Sequence, residues 1–140
     1  MPNHLAALGI SQLKKLKKFN SQRRKIAKWY DDFFNKFPNM FNIQKINRNL
    51  THSYQMYSVL VKANKRNNLL FYLKNRGIEA SVHFDPPLHR QKYLKKYSTR
   101  LPNTEVLAKR LVTLPIYPSL KKKEINKIFK TIENWYKKNN

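Results

Sequence analysis

The sequence contains no cysteine and only two glycines, Gly9 and Gly77, in 140 residues. Without cysteine the chain has no disulfide, no thiolate nucleophile and no zinc–thiolate site. Two isolated glycines cannot form the glycine-rich loop that cradles phosphates in many nucleotide-binding proteins. No apolar run is long enough to predict a membrane span. The first seven residues lack a basic stretch followed by an apolar one, so we expect no secretory signal and a cytoplasmic location.

Acidic residues are also scarce: seven Asp and Glu stand against 30 Lys and Arg, which gives a formal net charge of +23. A field of that sign attracts phosphates, nucleic acids and anionic membranes. The basic residues are spread along the whole chain, however, and Lys, Asn, Ile, Tyr and Phe are abundant together, as an AT-rich genome favours. We therefore attribute the charge mainly to composition and solvated helix faces, and keep a basic nucleic-acid- or polyanion-binding module as an alternative.

Hydrophobic residues make up 41% of the chain, enough for one packed domain covering residues 1–140. Apolar periodicity predicts an α/β (α+β) fold in which helices pack on a small sheet behind a long N-terminal helical segment. In chain order we predict helix 2–34 with a break near residues 20–21, a connection 35–49, strand 54–61, helix 65–76, strand 78–84, helical turns at 91–97, a helix beginning at 102–105, strand 112–116 and a last helix spanning 125–136.

Local signals refine these elements. Gly77 sits where a helix end favours a left-handed backbone, and Asn103 or Thr104 is suited to cap the next helix. Residues 54–61 are apolar on both faces, which predicts a strand covered on both sides. Residues 78–84 alternate strictly, with Ile78 to Phe84 placing apolar side chains on one face and His83 on the other, until Asp85 and two prolines stop the strand.

Six short segments carry recognisable motifs, in this order along the chain: residues 1–13 (MPNHLAALGISQL), 52–57 (HSYQMY), 73–78 (LKNRGI), 82–89 (VHFDPPLH), 101–105 (LPNTE) and 114–118 (LPIYP). In order and spacing they resemble the DegT/DnrJ/EryC1/StrS family of pyridoxal-phosphate-dependent sugar aminotransferases. The resemblance covers essentially the whole chain. It implies the C-terminal small domain of the aspartate-aminotransferase-like fold.

The resemblance implies a reaction as well. Family members transfer an amino group, usually from glutamate, to a nucleotide-linked keto sugar for polysaccharide or lipopolysaccharide biosynthesis. Their larger N-terminal domain carries the Schiff-base lysine, and no segment here matches that lysine's motif. We therefore expect no catalytic residue in this chain, and pyridoxal 5'-phosphate only in a full-length enzyme. The expected partners are the missing large domain or a second subunit, since the family forms homodimers, and the chain resembles a split-gene product, truncated frame or fragment.

Four residues are candidate substrate contacts. The resemblance places His83 at the active-site mouth, where an imidazole can hydrogen-bond a sugar hydroxyl or phosphate; the alternative is a structural histidine that satisfies a turn. His89 either holds the Pro-Pro loop or reaches substrate through it. Tyr54 and Tyr57 either present hydroxyls to the cleft or pack in the core. A metal shared by His83 and His89 is disfavoured.

Three hypotheses remain open. The chain is a piece of a sugar aminotransferase that supplies helix packing, a dimer surface and the substrate-side wall of the cleft, or it is an inactive remnant of one. The third hypothesis, a basic nucleic-acid-binding module, has the charge in its favour but no recognition motif. Because this domain normally packs against other parts of the enzyme, we also expect the isolated chain to expose apolar surface and self-associate.

Overall fold

A computed structural model describes residues 2–47 and 49–140. Its elements are α1 (Asn3–Phe34), β1 (Phe41–Ile43), β2 (Tyr57–Val61), α2 (Arg66–Lys74), two short 3₁₀ helices (Leu88–Arg90 and Lys92–Tyr97), α3 (Pro102–Ala108), β3 (Leu111–Leu114) and α4 (Lys122–Asn139). In the described part of the chain, no helix combines the length and the apolar character needed to cross a membrane.

The three strands form an antiparallel sheet in the order β1-β2-β3. Tyr57 lies opposite Leu114 and Val59 opposite Val112, so their side chains share one face of the sheet. That face is buried together with residues of α1, α2 and α4, whereas Ser58 and Leu60 on the other face are only half-buried. The predicted sheet with helices packed on it is confirmed. The prediction that residues 54–61 are covered on both faces holds fully for one face only; on the other, Thr113 is buried beside Ser58, while Ser58 and Leu60 are half-buried.

Aromatic rings dominate the core where α1 meets the sheet and α4. Tyr30 stacks on Tyr57 at 4.6 Å, and Phe33 stacks on Phe129 at 4.3 Å between ring centroids. Trp135 of α4 is fully buried, and its indole Nε1 donates a hydrogen bond to Asn68 of α2. Such ring pairs add to the hydrophobic gain of burying large side chains.

The first helix is continuous over 32 residues. The predicted break at Asn20 and Ser21 is therefore wrong, because helical backbone runs through both residues. Only the second part of α1 is packed: Ile26, Ala27 and Tyr30 are buried in the core, whereas the leucines of the first part are exposed. The helix thus begins as an arm outside the core and ends within it.

Other differences from the predicted elements arise where strands pair with segments that are distant in the sequence. β1 forms inside the predicted connection because Phe41–Ile43 pairs with β2. Residues 78–84 make one isolated bridge, Ser81 to Thr113, instead of a strand, and Phe84 is exposed rather than buried. Neither Asn103 nor Thr104 caps α3: the cap is Leu101, and Pro102 is the first helical residue. The left-handed backbone at Gly77 is confirmed, with a φ of +66°.

Candidate functional site

The open face of the sheet carries a chain of hydrogen-bonded polar side chains. Ser58 Oγ lies 3.1 Å from Thr113 Oγ1, and Thr113 Oγ1 lies 3.0 Å from His83 Nδ1. Ser81 Oγ is 3.4 Å from the same nitrogen. β2, β3 and the bridged segment after Gly77 each supply a member, so the chain of bonds ties three pieces of backbone together.

His83 is half-buried at the end of this network. Nδ1 is engaged with Thr113, which leaves Nε2 as the ring nitrogen outside the network. The hydroxyl of Thr113 can donate only one hydrogen bond. If it donates to His83, Nε2 carries the proton and is a donor. If it donates to Ser58 and accepts from Nδ1, the neutral ring carries its proton on Nδ1 and Nε2 is an acceptor. The network therefore determines whether His83 offers a proton or a lone pair.

A groove of about 290 Å³ lies beside His83. One wall is the loop after His83, and the other is α3 with the start of β3. Its lining is almost entirely apolar: Phe84, Pro87, Leu88, Thr104, Leu107, Ala108 and Leu111. A polar imidazole at the rim of an apolar groove suits a ligand that has both a polar and an apolar part.

His89 lies behind this groove and faces α3. Its Nε2 is 3.3 Å from Glu105 Oε1, and Arg90 Nη2 donates to the same oxygen at 2.8 Å. The backbone N–H of Leu101 also donates to Glu105. The bond from Arg90, then those from Leu101 and His89, lower the pKa of Glu105 to about 2. His89 is thus bonded to α3 in this structure, and a contact of His89 with substrate through the loop stays a prediction.

Tyr57 lies in the core, on the sheet face opposite His83, with 3% of its surface exposed. Its hydroxyl donates to Asp31 Oδ1 at 2.7 Å. Burial raises the pKa of Asp31, and the bond from Tyr57 lowers it by less. Burial and the neighbouring Asp31 raise the pKa of Tyr57 above its ordinary value. The structure therefore gives Tyr57 a packing position and does not bring it to His83.

Tyr54 is half-buried at the edge of the core, next to Tyr57. Its ring stacks on Tyr57 at 6.3 Å, and its backbone N–H donates to His52 Nδ1. Tyr54 and His52 border a second cavity of about 430 Å³ beside α1, which is also lined by Arg24, Lys28, Asp31, Ile46, Leu50 and Thr51. Burial, then Asp31, raises the pKa of Tyr54.

Sequence reasoning missed several polar partners. Ser58 and Thr113 were assigned only to strands, and their partnership depends on the register of β2 and β3. Asp31 lies on α1 one turn before the packed Phe34, and its bond with Tyr57 joins residues far apart in the sequence. A polar residue within an otherwise apolar strand was the one available signal.

The described lysines do not fit the role of holding the cofactor. A lysine that reacts as an amine near neutral pH needs a desolvated site. In residues 2–47 and 49–140 all lysines are exposed except Lys65, which is half-buried at the start of α2. Within the same residues no cluster of three or more His, Asp or Glu side chains could hold a metal. What these residues can do is bind and orient a ligand.

Comparison with known proteins defines the class. The chain superposes on an aminotransferase, TlmJ from Streptoalloteichus hindustanus, with a TM-score of 0.84 and 25% identity, over 92% of this chain and 35% of that one. The fold is thus the aspartate-aminotransferase-like fold of pyridoxal-phosphate-dependent sugar aminotransferases, of which this chain represents about a third.

The family assignment follows from the sequence itself. The family model for the DegT/DnrJ/EryC1/StrS aminotransferase family matches residues 1–133, and the chain belongs to that family. GDP-perosamine synthase from Escherichia coli O157:H7 is 31% identical over 137 residues, 97% of this chain and 36% of the relative. A dTDP-4-dehydro-2,3,6-trideoxy-D-glucose 4-aminotransferase from Saccharopolyspora spinosa is 31% identical over 88% of this chain and 31% of the relative. The chain thus spans about a third of the length of these relatives.

Proposed function

We propose that this chain is the C-terminal, substrate-side part of a nucleotide-sugar aminotransferase. The remainder of the enzyme holds pyridoxal 5'-phosphate and carries the reactive lysine. The complete enzyme is a homodimer. One observation carries the proposal: 97% of the chain aligns at 31% identity with GDP-perosamine synthase, a protein that makes an amino sugar on a nucleotide. The substrate class is a nucleotide-linked keto sugar, with glutamate as the amino donor.

His83 is the principal substrate contact. Its Nε2 lies outside the Ser58–Thr113 network and meets a sugar hydroxyl or phosphate oxygen at the cleft mouth. Tyr54 is a second contact, since its half-buried ring borders the cavity beside α1. Tyr57 supports Tyr54 by stacking, and His89 acts by holding the loop next to His83.

The test uses a complete enzyme, with this chain joined to or co-expressed with a large cofactor-binding domain. The assay follows glutamate-dependent amination of GDP- and dTDP-linked 4-keto sugars. We expect His83→Ala to raise the KM for the sugar about tenfold, the size of one lost hydrogen bond to a polar ligand, and to leave the KM for glutamate unchanged. Tyr54→Phe should have a smaller effect in the same direction.

The matched control is Asn134→Ala, an exposed change on α4. If His83→Ala behaves like this control in an active enzyme, His83 is not a substrate contact. If the complete protein aminates no nucleotide sugar, the inactive-remnant hypothesis replaces the proposed function.

A second candidate, polyanion binding, is favoured by one feature of α1. Residues 1–30 contain no Asp or Glu and eight Lys and Arg: Lys14, Lys15, Lys17, Lys18, Arg23, Arg24, Lys25 and Lys28. Fluorescence anisotropy with single-stranded and duplex DNA at rising salt tests this candidate. Binding to DNA that persists at physiological salt in the complete enzyme would support it, and its loss there would leave the aminotransferase proposal alone.

A further inference from the structure

The loop at 84–91 begins with a strained residue. Phe84, which directly follows His83, has a φ of +63°, a region that bulky side chains rarely adopt. Its ring does not hold it there, since 75% of its surface is exposed. A residue in such a conformation persists only where the surrounding structure determines it. The fixing contacts must therefore come from its neighbours along the loop.

Two anchors hold the loop after this residue. On the α2 side, Arg66 Nη2 lies 2.8 Å from Asp85 Oδ2, and Arg66 Nη1 donates to the carbonyl oxygen of Ala108 at the end of α3. The Arg66 side chain is only 11% exposed, whereas that of Asp85 is 35% exposed, so the guanidinium is the shielded half of this ion pair. One guanidinium therefore joins α2, the loop and α3.

On the α3 side, Glu105 receives hydrogen bonds from His89, Arg90 and the backbone of Leu101. A further hydrogen bond joins the two ends of the loop: the Gln91 side chain donates to the carbonyl oxygen of Pro86 at 2.8 Å. The loop is thus tied to α3 at both ends, and these two elements are the walls of the groove beside His83.

We propose that Arg66 and Glu105 are positioning residues that fix the loop at 84–91 onto α3 and thereby hold His83 at the rim of the groove. The importance of this role for catalysis rests on the proposed function; the anchoring itself does not. Neither Arg66 nor Glu105 lines the groove beside His83. Each acts through His83, by setting the separation between the loop and α3.

The first test uses the isolated chain and needs no activity. Trypsin sites follow in and after the loop, at Arg90, Lys92, Lys95, Lys96 and Arg100. In Glu105→Gln and Arg66→Gln we expect cleavage at these sites about fivefold faster than in the unaltered chain, because local opening becomes easier. The matched controls are Glu133→Gln, which removes the α4 carboxylate paired with Lys137, and Arg76→Gln. Cleavage no faster than in these controls would overturn the proposal.

The second test reads His83 directly. We expect the Cε1–H NMR signal of its imidazole to move in Glu105→Gln and Arg66→Gln and to stay in place in both controls. Arg66→Lys keeps the charge but cannot reach Asp85 and Ala108 together, so its shift should be intermediate. An unmoved His83 signal in both anchor variants would show that the loop does not position the imidazole.

In the complete enzyme, both anchor variants should raise the KM for the nucleotide sugar and leave the KM for glutamate unchanged. If His83→Ala raises the sugar KM while the anchor variants do not, positioning is refuted and the substrate contact stands. If the loop and the His83 signal respond but the enzyme aminates no sugar, the proposed function fails and the anchoring stands.

Discussion

Two regions of this molecule use their apolar residues in opposite ways. In the packed region, formed by residues 26–34, the sheet, α2 and α4, large side chains such as Trp135 and Tyr30 are fully buried. In the open region, formed by residues 3–18 and 84–107, equally large side chains face solvent: Leu5, Leu8, Ile10, Leu13, Leu16, Phe84, Leu88, Tyr93, Tyr97, Leu101, Val106 and Leu107. The chain builds one core and keeps further apolar surface that suits contact with another part of an enzyme.

The largest expected effect distinguishes the regions by stability. Trp135→Ala removes a buried indole that packs near Phe41 and donates to Asn68. We expect a loss of about 3–5 kcal/mol in the free energy of unfolding, as for other large core truncations. Tyr93→Ala in the open region, where 76% of the side chain is exposed, should change it by less than about 0.5 kcal/mol. Urea denaturation followed by circular dichroism measures both, and equal losses would abolish the distinction.

A smaller effect concerns the buried acid of the packed region. Tyr57→Phe removes the hydrogen bond to Asp31, at a cost of about 1–3 kcal/mol. Since that bond favours the ionised carboxyl, its loss should raise the pKa of Asp31 further. The variant should therefore be less destabilised at pH 3, where Asp31 is protonated, than at pH 7. Tyr30→Phe, which loses a bond to the carbonyl of Pro115, is the control and should show no such pH dependence.

Glu105, the acid of the open region, has its pKa shifted in the opposite direction from that of Asp31. The pKa of Glu105 is lowered from 4.5 to about 2, so its anchoring of the loop is complete above pH 4.5 and is lost as the pH falls through about 2. The amide signal of Leu101, which donates to Glu105, should titrate with that midpoint in NMR spectra. Glu105→Gln should abolish this titration. A midpoint near 4.5 in the unaltered chain would show that the anchors do not form.

The smallest effect on stability is expected in the arm of α1. Leu13, 68% exposed, packs against nothing that would be lost in Leu13→Ser, so the free energy of unfolding should change by less than about 0.5 kcal/mol. Self-association of the isolated chain should nevertheless decrease, because an exposed apolar side chain is removed. Sedimentation velocity measures this change. A monomeric unaltered chain would contradict the expected self-association.

The packed region was largely predictable from the sequence, because its signals are local. Apolar residues at helical spacing, Ile125, Ile128, Ile132 and Trp135, predicted α4. Gly77 predicted the end of α2. The open region was predicted less well, because its structure depends on distant partners. Residues 78–84 have the alternation of a strand, yet only Ser81 finds a bridge, and the sharp turn at Phe84 is held by side chains of α2 and α3.

The candidate site divides along the same line. His83 is a candidate from the family resemblance and stays a prediction, whereas its hydrogen-bond partners Ser58 and Thr113 could not be predicted, because only the strand register brings them to it. Tyr57 shows the converse: the sequence left a cleft contact and a core position open, and the alternation of β2 turns its side chain into the core. Motifs identify the segments of a site, and tertiary pairing decides which of their side chains meet.

The most direct test of the central proposal is amination by the complete enzyme with this chain in place. The chain is supplied with the large domain and pyridoxal 5'-phosphate, and amino-sugar formation from glutamate and nucleotide-linked 4-keto sugars is followed by mass spectrometry. We expect amination that requires both parts and that weakens, through the sugar KM, in His83→Ala. A folded, cofactor-loaded enzyme that aminates none of these sugars would contradict the assignment of this chain to a working sugar aminotransferase.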